Sequence, residues 1–317
     1  MDVDYEQYFD RSGKKDVLSG GVTVVEVTTP LGGFHVWTKR TGNDPDVALL
    51  LLHGGPGATH EYFLSADSYL PAAAVQYHYY DQLGSGLSSV PEDLSLWTIE
   101  RFVDEVEQVR VALGLGRHNF FLLGHSWGGV LAIEYALKYQ QHLKGLIISN
   151  MMSSIAAYNE YARDVLMPTM DQVALAEIKA FETSGDTDNP RYEELLMEHH
   201  YVHHVLRMPL DEWPEPVVRS FAHINKSIYV PLQGPSELGA SGALLEWDRT
   251  ADLPAITVPA LVIGATYDTM DPEYLRLMAS RLGAGEYWHC PQGSHMAMYD
   301  DQETYFEGLI SFLRRHA

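Results

Sequence analysis

The chain is poor in cysteine, in positive charge and in long apolar runs. Cys290 is the single cysteine among 317 residues, so no disulfide forms within the chain and a reducing compartment is expected. Lysine and arginine together number 21 against 43 aspartates and glutamates, a formal net charge of −22. That balance lacks the basic footprint that a phosphate backbone requires, which argues against nucleic acid as a partner. No apolar run approaches the ~20 residues that span a bilayer. The opening stretch MDVDYEQYFDRSGKKD has no apolar core of the kind a secretory signal carries. The expectation is an acidic cytoplasmic protein with no membrane partner.

What the chain does have is core-forming material: 46% of its residues are hydrophobic, enough for one large globular domain. Residues 22–27 (VTVVEV) and 34–39 (FHVWTK) read as two strands joined by a turn, a hairpin-like pair at a sheet edge. VALLLL at 47–52 is apolar throughout, the pattern of a strand buried on both faces. Further short strands are expected at 75–80, 119–124, 143–149, 259–264 and 286–290. Between them, Phe102, Val106, Val109 and Leu113, and later Val130, Ile133 and Leu137, recur at helical spacing. Buried strands alternating with amphipathic helices predict an α/β fold with a mostly parallel sheet. The alternation stops over residues 151–245, which read as helices and loops broken by prolines, and resumes near Pro259. The expected organisation is a core from 1–150 and 246–317 with a helical cap of 151–245 over the sheet's C-terminal edge, where open α/β sheets bind ligands.

Gly124-His125-Ser126-Trp127-Gly128 follows an apolar strand and opens an amphipathic helix. Glycine and serine there suit a plain turn, with serine as a helix N-cap. The same strand–turn–helix setting is also that of a nucleophile elbow, which lifts a serine hydroxyl above the sheet. Upstream, LLLLHGGPG runs from a buried strand into a glycine-rich loop able to aim backbone N–H groups at an oxyanion. The donors expected are Trp127 N–H and Gly55 N–H. A serine nucleophile also needs a base, and the base needs an orienting acid, in the order serine, acid, histidine. Asp268 lies just past the strand at 259–264. Its competitor, Asp271, precedes Pro272 and suits a helix N-cap. His295 lies just past the strand at 286–290. Ser126, Asp268 and His295 are therefore the candidate catalytic residues.

Taken together, HGGPG (53–57), DQLGSGLS (81–88), GHSWGG (124–129), GPSEL (234–238), WDRT (247–250) and GSHMAMYDD (293–301) make the chain resemble the proline iminopeptidases of the α/β-hydrolase superfamily over most of its length. The resemblance implies an α/β-hydrolase fold with an inserted helical cap. It implies a serine hydrolase that releases an N-terminal residue, preferably proline, from short peptides or amides, with no metal or organic cofactor. Such a reaction calls for carboxylates that hold the substrate's free α-ammonium, and Glu237 in GPSEL matches one family anchor. Some family members place a second anchoring glutamate directly after the catalytic aspartate. Here that position is Thr269, which leaves Glu61 or Asp271 as alternative second acids and a broader amino-acid amidase, arylamidase or small-ester hydrolase as the alternative activity.

Two other readings compete. EHHYVHHVLR offers His199, His200, His203 and His204 at i, i+4 spacing, which suits metal ligation, but no third ligand is evident and a polar cap helix is expected. A hydrolase fold also serves as a binding protein without turnover; the full set of catalytic loops argues for an enzyme.

Overall fold

The computed structural model describes residues 5–44 and 46–317. Residues 1–4, the start of the N-terminal stretch discussed above, lie outside the described residues. One eight-stranded sheet carries the fold: β1 (Val22–Thr29), β2 (Gly32–Thr41), β3 (Ala48–Leu52), β4 (Gln76–Asp81), β5 (Phe120–His125), β6 (Gly145–Ser149), β7 (Ala260–Ala265) and β8 (Gly285–Cys290). The order across the sheet is β1-β2-β4-β3-β5-β6-β7-β8. β1 and β2 pair antiparallel at one edge, as the hairpin pattern predicts, and β2 joins β4 antiparallel; the remaining pairs are parallel.

The all-apolar strands owe their composition to burial on both faces. In β3, Leu50 and Leu52 pack into one core with Phe102, Val106, Val130 and Ile133. Leu49 and Leu51 pack into the other with Phe306, Leu309 and Phe312. Each leucine so buried contributes about 1.5–3 kcal/mol relative to exposure. The two helices that cover one face are those the apolar spacings predict. Ile99–Ala112 and Trp127–Tyr139 lie against one face, and Gln302–Arg315 closes the other. The first starts where Thr98 accepts a hydrogen bond from Arg101 N.

Register brings the site residues to one edge. Leu52 pairs with Gly124, Gly124 with Ile148, and Ile148 with Val262. The C-terminal ends of β3, β5, β6 and β7 are therefore level, and the loops that follow them emerge side by side. From Ile155 to Leu232, between β6 and β7, the chain forms helices and no strand. Three backbone hydrogen bonds tie this helical insertion to the loops at the sheet edge: Asn225 N–H to Gly57 O (2.8 Å), His295 N–H to His204 O (3.0 Å) and Met296 N–H to Val205 O (2.8 Å). Among the described residues no helix is long and apolar enough to cross a membrane.

Candidate active site

Ser126 sits between β5 and the helix Trp127–Tyr139 with φ 56° and ψ −125°. A non-glycine residue in that region carries strain of order 1–3 kcal/mol and persists only where its surroundings impose it. Here Ser126 N–H donates to Ser149 O (3.1 Å), and Gly129 N–H donates to Ser126 O (2.7 Å). The flanking glycines make the turn feasible. A Cβ on Gly124 would collide with the Gly128 carbonyl, and one on Gly128 with the Leu52 carbonyl. The Ser126 side chain makes no N-cap hydrogen bond, so the plain-turn reading fails. Ser126 instead lines a cavity of about 580 Å³ together with Gly55, His295 and Glu237.

Behind the cavity wall, His295 Nδ1 lies 2.8 Å from Asp268 Oδ1. The carboxylate only accepts, so Nδ1 carries the proton and Nε2 keeps its lone pair. Burial opposes charge on His295, but the Asp268 carboxylate outweighs it by charge and hydrogen bond, and the net shift is upward. Asp268 is itself held. Oδ1 accepts from Met270 N–H (3.1 Å), and Oδ2 accepts from Asn150 Nδ2 (2.7 Å). Asn150 follows β6 directly with φ 53°, a conformation asparagine tolerates better than most residues. Thr269 is fully buried against the same pair. Its hydroxyl lies 3.3 Å from Asp268 Oδ1 and 3.2 Å from His295 Nδ1.

The glycine-rich loop is fixed by groups the motifs did not reveal. Gly54 packs so closely on the serine that a Cβ there would stand 2.8 Å from Ser126 Cβ. Gly54 N–H is already committed to Tyr62 Oη (2.6 Å), which leaves Gly55, with φ 108°, as the loop's oxyanion donor candidate. Trp127 N–H is in the first turn of its helix, where N–H groups lack helical acceptors. The Trp127 indole donates to Gln82 Oε1 (2.9 Å), and Gln82 Nε2 donates to His53 O (2.9 Å). Gln82 of the DQLGSGLS motif thus ties the two donor-bearing segments together. A second chain of bonds runs beneath. Tyr62 Oη lies 3.0 Å from His125 Nδ1, and His125 Nε2 lies 2.8 Å from His295 O. The carbonyl requires a proton on Nε2, so Tyr62 donates to Nδ1. Burial, aided by the neighbouring His295, pushes His125 down to about 3. His125 therefore stays neutral beside His295, their ring centroids 4.9 Å apart.

Glu237 reaches the cavity from the insertion side and is held by three tyrosines. Tyr229 Oη donates to its Oε1 (2.6 Å), Tyr158 Oη donates to its backbone carbonyl (2.7 Å), and its N–H donates to Tyr201 Oη (3.2 Å). Burial raises the Glu237 carboxyl, while His295 and the Tyr229 bond pull it back down in part. The two alternative second acids are elsewhere. Glu61 bonds to Thr59, His223 and Arg219, and Asp271 caps the helix Pro272–Arg281 through Glu273 N–H. Neither lines the cavity. Each is satisfied by other partners, Glu61 by side chains of the insertion and Asp271 by the helix it caps. The histidine cluster also resolves into separate contacts. His200, buried and pushed down to about 3 by desolvation, lies 3.2 Å from Glu237 O. His204 Nδ1 lies 2.9 Å from Tyr267 O. Among the described residues no group of three His, Cys, Asp or Glu side chains is placed to hold a metal ion.

Comparison with known proteins agrees with this architecture. The family described as alpha/beta hydrolase fold matches residues 47–302. A proline iminopeptidase of Flavobacterium johnsoniae is 49% identical over 290 residues, 92% of this chain and 97% of that protein. One of Elizabethkingia meningoseptica is 49% identical over 293 residues, with the same coverage of both chains. Among solved structures, VinJ superposes with a TM-score of 0.85 at 28% identity, covering 92% of this chain and 99% of that one. A proline iminopeptidase of Mycobacterium smegmatis gives 0.81 at 28% identity, covering 93% and 98%.

Proposed function

We propose a reaction for a chain that belongs to the α/β-hydrolase fold family and, within it, to the proline iminopeptidases: hydrolysis of the bond that follows an N-terminal residue, preferably proline, in short peptides or amides. The observation that carries it is a carboxylate, Glu237, lining the same cavity as Ser126 and His295. An acyl-transfer site that also offers a fixed negative charge suits a substrate with a free α-ammonium beside its scissile carbonyl. In this reading residues 151–245 act as the cap that bounds the cavity, and the enzyme works on cytoplasmic peptides.

His295 Nε2 takes the Ser126 hydroxyl proton as Oγ attacks the carbonyl carbon. Asp268 orients the imidazole and stabilises its cation, and Asn150 orients Asp268. The N–H groups of Gly55 and Trp127 receive the oxyanion. His295 then gives its proton to the leaving amine, the carbon–nitrogen bond breaks, and a prolyl ester on Ser126 remains. A water, deprotonated by His295, attacks the ester; proline leaves and Ser126 regains its proton. Glu237 holds the ammonium throughout, so only the first bond of a chain reaches Ser126. No step uses a metal or cofactor.

Thr269 supports a second reading. Its side chain faces the acid and base and brings no second carboxylate to the ammonium, and a looser clamp leaves room for other N-terminal residues. Hydrolysis of prolyl p-nitroanilide, its N-acetyl derivative, alanyl p-nitroanilide and p-nitrophenyl acetate, with Ser126→Ala as blank, separates these. Cleavage of the prolyl amide that is lost on acetylation is the expected result. Comparable alanyl turnover supports the broader amidase. Activity on the ester alone overturns the aminopeptidase assignment.

A further inference from the structure

The cavity is larger than one prolyl residue requires. At about 580 Å³ it lies in the range that holds whole drug-sized ligands, roughly 300–1,000 Å³. Its floor is closed: Gly54, Tyr62 and His125 are buried directly beneath Ser126. A substrate anchored by its ammonium on Glu237 and by its carbonyl at Ser126 has one direction left for the group beyond the scissile nitrogen, outward to the mouth. The mouth is identified by its exposed residues, among them Asp188 and Lys226, which pair at 3.2 Å with their side chains 91% and 66% exposed.

Much of the cavity wall is apolar, with Glu193 and Ser220 among the polar groups that interrupt it. Trp213 and Phe221 form an edge-to-face pair with ring centroids 5.6 Å apart, and both line the cavity with Met197. Nearer the mouth come Leu210, Val218 and Val230, which are 40%, 49% and 41% exposed. Solvated apolar side chains grouped around a cavity mouth mark a contact surface.

Resting on the aminopeptidase reading, we propose that this wall is the leaving-group subsite and that the preferred substrates carry a large apolar residue, aromatic or branched aliphatic, immediately after the N-terminal proline. The phenyl ring of such a residue leaves water against Trp213, Phe221 and Val218, whereas glycine offers nothing to the wall and aspartate places a carboxylate against it. Transfer of an aromatic side chain into such a site raises kcat/KM by about tenfold or more.

The test measures kcat/KM for Pro-Phe-NH2, Pro-Leu-NH2, Pro-Gly-NH2 and Pro-Asp-NH2 on the intact protein, together with Val218→Asp and Phe221→Ala. The expected order is Phe and Leu well above Gly, with Asp lowest. Both variants bring the Phe-to-Gly ratio toward one, and Val218→Asp, at a half-exposed position, does so without a burden on folding. Equal rates for the four amides, or a ratio that neither variant changes, overturn the subsite while leaving the aminopeptidase reading intact. Failure to hydrolyse any prolyl amide overturns both.

Discussion

Replacing Glu237 by glutamine separates substrate recognition from chemistry. The change is isosteric, and the new amide oxygen still accepts from Tyr229 Oη, which donates to Oε1 at 2.6 Å. The bonds from Tyr158 and to Tyr201 use the backbone and are untouched. The fold is therefore expected to survive, and what disappears is the negative charge offered to the substrate ammonium. A charge-assisted hydrogen bond is worth about 1.5–3 kcal/mol. At about 1.36 kcal/mol per tenfold, kcat/KM for prolyl p-nitroanilide should fall about 10- to 150-fold. The contact exists before and during the reaction, so the loss should appear chiefly in KM. Hydrolysis of p-nitrophenyl acetate, which has no amine, should keep its KM. A second effect reaches every substrate. The Glu237 charge is one of the influences that raise His295, so Glu237→Gln should move the acidic limb of the ester pH–rate profile to lower pH. An unchanged kcat/KM for the prolyl amide, or an equal loss on amide and ester, would refute the assignment of Glu237 as ammonium anchor.

Four more perturbations, a pH change and three substitutions, probe the same site. His295 must be neutral to act as a base, and its pKa lies above the ordinary 6.5, so kcat/KM should fall as pH drops through a midpoint above that value. Asp268→Asn removes the charge that raises it and leaves the burial that lowers it, so kcat should fall about 10³- to 10⁴-fold and the limb should move down in pH. Tyr62→Phe deprives Gly54 N–H of its acceptor and His125 Nδ1 of its donor. A loss of about 1–3 kcal/mol in unfolding free energy is expected by denaturant titration, with weaker inhibition by a prolyl boronate while product proline binds as before. Asn150→Ala strips Asp268 Oδ2 of its donor and puts alanine at φ 53°; stability and kcat should both drop, and an unaltered kcat would remove Asn150 from the positioning role.

The parts legible in the sequence are those written in local pattern. β3, β5, β6 and β7 are buried on both faces, so their apolar runs stand out from the amphipathic helices, and Ser126 and Asp268 each follow such a run within a few residues, while His295 follows the half-buried, aromatic β8. Asp271 was legible as a cap because Pro272 sits beside it. What stayed hidden is pairing across long sequence separations. Tyr62, His125 and His295 come from a short helix, a strand and a loop, and no spacing rule links that tyrosine to the carbonyl of a residue 233 positions later. Asn150 left only a faint mark, a polar residue ending an apolar strand. Glu61 misled because an acid near the glycine-rich loop looks available, whereas Arg219 and His223 of the insertion occupy it.

The bonds from Asn225 to Gly57 and from the His295 loop to His204 and Val205 have a consequence for how such proteins diversify. The helical insertion is often pictured as a module that evolution or an engineer exchanges to change specificity while the catalytic core stays constant. In this chain the glycine-rich loop after β3 and the loop carrying His295 both find backbone partners inside the insertion. A foreign insertion that fitted the sheet edge but lacked acceptors at the positions of His204 and Val205, or a donor at Asn225, would inherit an intact fold with a loosened catalytic centre. Specificity in this architecture is therefore more readily changed by substitution within the existing helices than by replacing them.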